Sequence, residues 1–345
     1  MIKSLKVTNS YGSSLTMTLN DPYQKGYAIT GISGLEPPQV DIKQTQMVSG
    51  LRYKYNFGFH KYREITISIV YVDYNSTSKS IQTLREELYA YFKTNDLVTL
   101  EFEKVEGSTS VKEFIQGYVS QHSPTIFSNN EGCTIKVMCS DPWFKKRNSN
   151  EYVPIDELQY NSIIGDGSPD PHYIDYTGDL QNGFIIDTRD INRADDPDWQ
   201  HLSIFDGETL QLSSYKAIWQ NNEWVKVGDP LGSIRLQVSL PSDWWEEQGG
   251  TRQMKYDGKS YLVIDLLQDE LKIYIKYSDD GDVFETLNCI GFLDSTNISD
   301  RKNALPKLYA FNQENVGTAI EFNVVGESGS YIASYLQYNI LNRGI

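Results

Sequence analysis

Cysteine is scarce: Cys133, Cys139 and Cys289 are the only three in 345 residues. So few scattered thiols cannot build a disulfide framework, and they point to a protein made in a reducing cytosol. Histidine is nearly as rare, and His60, His122, His172 and His201 lie far apart, none in an HExxH or other metal-ligand spacing. The sequence therefore carries no signal for a metal site, and no Ser/His/Asp order can be assembled. Long apolar runs are missing as well, since one of the most apolar stretches, residues 261–267, is broken by Asp265. Met1-Ile2-Lys3-Ser4-Leu5-Lys6 leads into polar residues rather than a signal-peptide core, so export by that route is not expected. There is no basic excess either. With 31 Lys and Arg against 46 Asp and Glu, the net charge of −15 repels a phosphate backbone, and nucleic acid is not an expected partner.

What is present is the composition of a globular chain, 39% hydrophobic and 22% charged, long enough to outgrow a single core. Two domains are expected, and the charge is divided accordingly. Residues 1–150 hold 17 basic and 14 acidic side chains, a balance of +3, whereas residues 151–345 hold 14 basic and 32 acidic, a balance of −18. Five of the six tryptophans, Trp199, Trp219, Trp224, Trp244 and Trp245, fall in the acidic part. Asp141-Pro142 interrupts strand continuation and residues 145–150 form a polar connector, which sets the domains at 1–147 and 148–345.

Strand periodicity dominates both parts. Tyr53, Tyr55, Phe57 and Phe59 alternate with Arg52, Lys54, Asn56 and Gly58, and Ile65, Ile67, Ile69 and Tyr71 alternate again after a short connection, a pattern that reads as a hairpin. Ile81, Leu84, Leu88 and Phe92 recur at helical spacing, with Ser78 or Ser80 as N-cap and Thr94-Asn95-Asp96 as stop, which predicts one helix covering a sheet. Further strands are expected at 98–102, 114–120 and 133–139, the last placing Cys133 and Cys139 on one face as buried thiols rather than a redox pair. In the acidic part, residues 233–240 and 271–277 alternate cleanly among Asp/Gly/Asn/Pro turns. The predicted fold class is mainly β: an N-terminal sandwich or barrel-like domain with one covering helix, then an antiparallel β-sandwich.

The chemistry-bearing motifs are weak. Gly258-Lys259-Ser260 resembles the end of a phosphate-binding loop, but Gln253 stands where its first glycine belongs, and Gly326-Glu327-Ser328-Gly329 lacks the βαβ setting of a dinucleotide site. Ser278-Asp279-Asp280-Gly281-Asp282 reads as a turn, and neither it nor Asp195, Asp196 and Asp198 follows the calcium-loop order. Glu246-Glu247 beside Trp244-Trp245 supplies carboxylates, yet glycoside hydrolysis requires a defined separation in space that sequence alone does not give. No catalytic residue, cofactor or metal is therefore expected. Trp219, Trp224, Trp244 and Trp245 are the candidates for saccharide binding, the first two within Trp219-Gln220-Asn221-Asn222-Glu223-Trp224, whose amides and carboxylate can bond hydroxyls. The competing assignment for each is ordinary burial in a core or interface.

The succession of segments resembles the distal tail protein (Dit) family of long-tailed bacteriophages of Gram-positive hosts. It opens with Gly31-Ile32-Ser33-Gly34-Leu35-Glu36-Pro37-Pro38, passes through the strand of residues 63–72, the helix and Gly117-Tyr118-Val119, and closes on Cys139-Ser140-Asp141-Pro142-Trp143-Phe144. Tyr176-Thr177-Gly178-Asp179, Gly183-Phe184-Ile185-Ile186 and the segment 338–345 match in the acidic part, whereas residues 214–260 do not and read as an enlarged loop or insertion. The resemblance implies a galectin-like second domain and a structural baseplate hub, not an enzyme. Six copies would form a ring at the tail tip of the virion, assembled in the host cytoplasm. Expected partners are the tail tube protein, a tail-associated hub or lysin protein and a receptor-binding protein. The alternative is a saccharide-binding adhesion module for host cell-wall polysaccharide, alone or as an added role of the hub. Neither membrane insertion nor nucleic acid binding is expected.

Overall fold

The computed structural model describes residues 2–19, 26–46, 53–72, 79–106, 109–126, 131–147, 160–164, 171–187, 209–237, 245–248, 251–254, 260–267, 272–277, 283–286, 305–324 and 334–345. The chain divides into two compact units, Met1–Glu157 with Leu341–Ile345, and Leu158–Ile340. The boundary read at 147 precedes this division. The return of the last five residues to the first unit has no counterpart in the sequence pattern, because so short a segment carries no periodicity.

Alternating residues build the first unit from β1 (Ile2–Asn9), β2 (Ser14–Thr18), β3 (Tyr27–Ser33), β4 (Val40–Gln46), β5 (Tyr53–His60), β6 (Arg63–Tyr71), α1 (Ile81–Tyr91), β7 (Leu97–Glu106), β8 (Thr109–Thr125), β9 (Gly132–Cys139) and β10 (Phe144–Arg147). Antiparallel pairing orders the main sheet β2-β1-β7-β8-β9-β6-β3, with β10 added along β8. Its inner face buries Val7, Ile65, Ile67, Leu100, Ile135 and Val137 completely. On α1 the Ser80 hydroxyl accepts the Thr83 N–H at 3.2 Å as N-cap, and Ser78, the other capping candidate, lies outside the described residues. Leu84, Leu88 and Phe92 are fully buried in the sheet's core, which is the packing their spacing predicts. Cys133 and Cys139 are buried on β9 as free thiols, and Cys289 lies outside the described residues.

One expected pairing is wrong. β5 and β6 do not form a hairpin: β5 pairs with β4, from Val40 opposite His60 to Gln46 opposite Tyr53, while β6 is flanked by β3 and β9. A central strand has both edges occupied, and alternation reports which face is buried without reporting which strand is the neighbour. The β4–β5 pair is a two-stranded ribbon outside the main sheet.

The second unit contains β11 (Tyr160–Ile164), β12 (His172–Ile174), β13 (Ile185–Asp187), β14 (Thr209–Gln220), β15 (Glu223–Gln237), β16 (Trp245–Gln248), β17 (Thr251–Met254), β18 (Ser260–Asp265), β19 (Lys272–Tyr277), β20 (Val283–Thr286), β21 (Val316–Val324) and β22 (Ser334–Tyr338). Two antiparallel sheets result, β11-β22-β13-β18-β19-β20 and β12-β21-β14-β15. Ile186, Ile264 and Leu336 lie in one cross-strand row of the first, and Leu212, Ile320 and Phe322 lie on one face of the second, all nearly inaccessible. Two sheets, each burying one face, make the expected β-sandwich. Residues 214–237, within the stretch read as an enlarged loop or insertion, lie in strands β14 and β15 of this sheet and the turn that joins them. Strand β23 (Leu341–Asn342) belongs to the first unit, where it pairs with β10.

Candidate functional site

The β14–β15 hairpin gathers an aromatic surface in the second unit. Its two-residue turn, Asn221-Asn222, has φ of 54° and 66°, the left-handed pair that lets adjacent strands reverse directly and that asparagine tolerates. The turn sets Trp219 opposite Trp224, with ring centroids 5.6 Å apart and planes at 69°. Trp224 also stacks on Tyr173 of β12, 6.3 Å away and inclined by only 14°. The small residues Gly317, Ala217 and Ala319 make this possible: a Cβ on Gly317 would stand 3.2 Å from the Trp224 ring, and both alanines are fully covered.

Beside the rings lies an ion pair. Lys226 bonds Glu321, and its ammonium sits 4.4 Å over the Tyr215 ring. Burial works against the ammonium, but the hydrogen bond and charge of Glu321, aided by Tyr215 and Tyr173, outweigh it and raise the Lys226 pKa. Burial, followed by the same carboxylate, raises Tyr215. The surface thus sets aromatic rings beside a paired charge.

Of the four candidate tryptophans, the structure brings Trp219 and Trp224 together, Trp219 being 41% exposed and Trp224 half-buried. Trp244 lies outside the described residues, and Trp245 is placed only by its backbone, opposite Met254 in β16–β17. Tyr173 escaped the sequence reading because a three-residue strand shows no usable alternation. Of the histidines, His60 packs edge-on to Trp143 at 4.7 Å, His122 bonds the Phe92 carbonyl through Nδ1 at 3.2 Å, His172 lies on β12, and His201 lies outside the described residues. Among the described residues no cluster of three or more His, Cys, Asp or Glu side chains is suited to a metal ion.

The first unit holds a different feature. Arg63, only 3% exposed, donates Nε to the Pro142 carbonyl at 2.7 Å, Nη1 to Gly34 and Glu36 at 2.6 and 2.7 Å, and Nη2 to Arg343 at 2.5 Å. Its guanidinium also lies 4.5 Å over the Phe144 ring. Two of the segments on which the family resemblance rests, residues 31–38 and 139–144, are therefore joined through one side chain. Sequence reasoning passed over Arg63 because an arginine opening a strand ordinarily keeps its charge in water.

No protein-family model matches the sequence, and no curated protein matches it. Among solved structures it is similar to the Dit protein of phage SPP1, described as a paradigm of hub adsorption apparatus in Gram-positive infecting phages. The TM-score is 0.50 at 8% identity, over 98% of this chain and 99% of that one. Structures of the phage P2 baseplate in its activated conformation, with Ca and with Sr, align at 9% identity with TM-scores of 0.35 and 0.33. Those alignments cover 98% and 97% of this chain and equal shares of theirs. At such identity the likeness to the SPP1 protein is one of fold.

Proposed function

We propose that this protein is a non-enzymatic hub of a bacteriophage tail tip. Six copies close a ring through the first unit and join the tail tube to the host-adhesion device. The observation that carries this reading is the fold shared with the SPP1 Dit protein along nearly the whole of both chains. The ordered segments of the first 145 residues point the same way.

Local physics supports the ring. A two-stranded ribbon is marginal alone in water, and β4–β5 leaves Val40 and Ile42 43% and 54% exposed, so a neighbouring copy is the natural surface to receive it. Residues 1–150 are nearly neutral, at +3, whereas residues 151–345 carry −18 and repel copies of themselves. A head-to-tail contact whose rotation closes gives a ring. Its partners on this reading are the tail tube protein, a tail-associated hub or lysin protein and a receptor-binding protein, within the virion. Light scattering and negative-stain microscopy of the full chain are expected to give a sixfold mass and a ring, and Ile42→Asp is expected to dissociate it. A monomer at every concentration, or an unaffected ring in that variant, would overturn the ring or its contact.

A second reading, saccharide recognition by the acidic unit, is favoured by the exposed Trp219 at the aromatic hairpin tip.

A further inference from the structure

We propose that Trp219, Trp224 and Tyr173 form a stacking surface for the pyranose rings of an uncharged saccharide, on the outward face of the β12-β21-β14-β15 sheet. This rests on the second reading above and narrows it to one face and one class of sugar.

The opposite face already supplies the core of this sheet through Leu210, Leu212, Ile320 and Phe322, each at most 2% exposed. Alternation sends Tyr215, Ala217 and Trp219 the other way, where a sheet that faced only water would carry polar side chains. Instead Trp224 crosses β14 and β21 over Gly317 to reach Tyr173, and Trp219 stands edge-on beside it with 41% of its surface open. A sugar ring offers an apolar C–H face to an indole and hydroxyls to its rim. Gln220, Asn221, Asn222 and Glu223, all exposed at the same tip, provide both donors and acceptors for that rim.

Charge selects among sugars. Residues 151–345 carry −18, and the cation beside these rings, Lys226, is engaged by Glu321, while Arg235, further along the same face, bonds Gln211. A phosphate- or carboxylate-bearing wall polymer would be repelled without a local cation to receive it, whereas an uncharged chain meets no such penalty.

The test uses the full-length protein. Calorimetric titration with oligosaccharides of glucose, galactose and N-acetylglucosamine is set beside titration with a glycerol-phosphate polymer, for the wild type, Trp219→Ala and Trp224→Phe. At least one uncharged oligosaccharide is expected to bind saturably, and Trp219→Ala is expected to weaken it about tenfold at an unchanged melting temperature. Trp224→Phe, which keeps a ring in place, is expected to weaken it less. Failure of every uncharged probe would overturn this proposal, and failure of the anionic polymer as well would overturn the saccharide reading. Binding untouched by Trp219→Ala, or stronger binding of the anionic polymer, would overturn this surface alone. The hub reading is measured separately, as ring mass.

Discussion

Arg63 donates through Nη2 to the main-chain oxygen of Arg343, a residue 280 positions away, at 2.5 Å. The contact fixes Leu341–Ile345 on the first unit, together with β23 pairing on Phe144 and Lys145, the Asn342 amide bonding Glu113 Oε1 at 2.8 Å, and the Ile345 N–H bonding the Leu35 carbonyl at 3.2 Å. Folding of the first unit therefore includes residues from the far end of this sequence.

Arg63→Met should leave the buried Pro142 carbonyl without its donor, together with the less buried carbonyls of Gly34, Glu36 and Arg343, at about 1–3 kcal/mol for each one that water cannot reach. Arg63→Lys retains the charge but loses the planar fork that serves separate acceptors at once, so it should rescue little. Deleting Leu341–Ile345 removes one of those acceptors. The deletion and Arg63→Lys should therefore cost less together than the sum of the two alone, read as coupling in a double-mutant cycle of chemical denaturation.

Leu84→Asp and Leu88→Asp should each unfold the first unit. Both side chains are fully buried in its core, and an unpaired carboxylate there costs several kcal/mol against a typical domain stability of about 5–15 kcal/mol. Unchanged melting temperature and solubility in both variants would contradict the packing of α1.

The legible parts of this fold are those where one period governs one face. Leu84, Leu88 and Phe92 could be placed inside because a helix of that spacing has only one apolar stripe, and Ile65, Ile67 and Ile69 because alternation assigns a face. Neighbour choice was not legible. The same alternation fits β5 beside β6 or beside β4, and the deciding fact, that β6 is already flanked by β3 and β9, is a property of distant segments. In the candidate site, Trp219 and Trp224 announced themselves by being close in sequence around a two-asparagine turn. Tyr173, Gly317 and Glu321 were silent because they reach the site from strands more than forty residues away on either side.

Glu103 should make the first unit acid-sensitive. Its hydrogen bond from Ser110, with those from Lys3 and Ser4 and the Lys3 charge, outweighs partial burial and holds its pKa down at about 2, from 4.5. The folded state then binds fewer protons than the unfolded state between those values. Its stabilising effect is full above pH 4.5 and lost as pH falls towards about 2. Glu103→Gln should reduce the slope of unfolding free energy against pH in that window and lower stability at pH 7. An unchanged slope would show that the carboxylate titrates alike in both states.

Cys133 and Cys139 should resist alkylation in the folded protein. Burial raises their pKa to about 11 and about 12, despite the Tyr71 hydrogen bond at the first and the Arg63 charge near the second. The thiolate is the reactive form, so site-resolved mass spectrometry after iodoacetamide at pH 8 should find both unmodified until denaturant is added. Modification of either in the native state would require its strand to open.

Gly317→Ala separates two constraints that meet at one position. A Cβ there would stand 3.2 Å from the Trp224 ring, which a side-chain rotation can relieve, and 2.6 Å from the Ile174 carbonyl oxygen, which only movement of β12 can relieve. The backbone contact is the shorter and the stiffer, so overpacking should cost about 1–3 kcal/mol. Adding Trp224→Ala should not restore that loss, because it leaves the Ile174 carbonyl where it was. Trp224 emission in Gly317→Ala should also shift towards that of an exposed indole as its stack on Tyr173 loosens. Full rescue by Trp224→Ala would mean instead that the indole alone dictates glycine at this position.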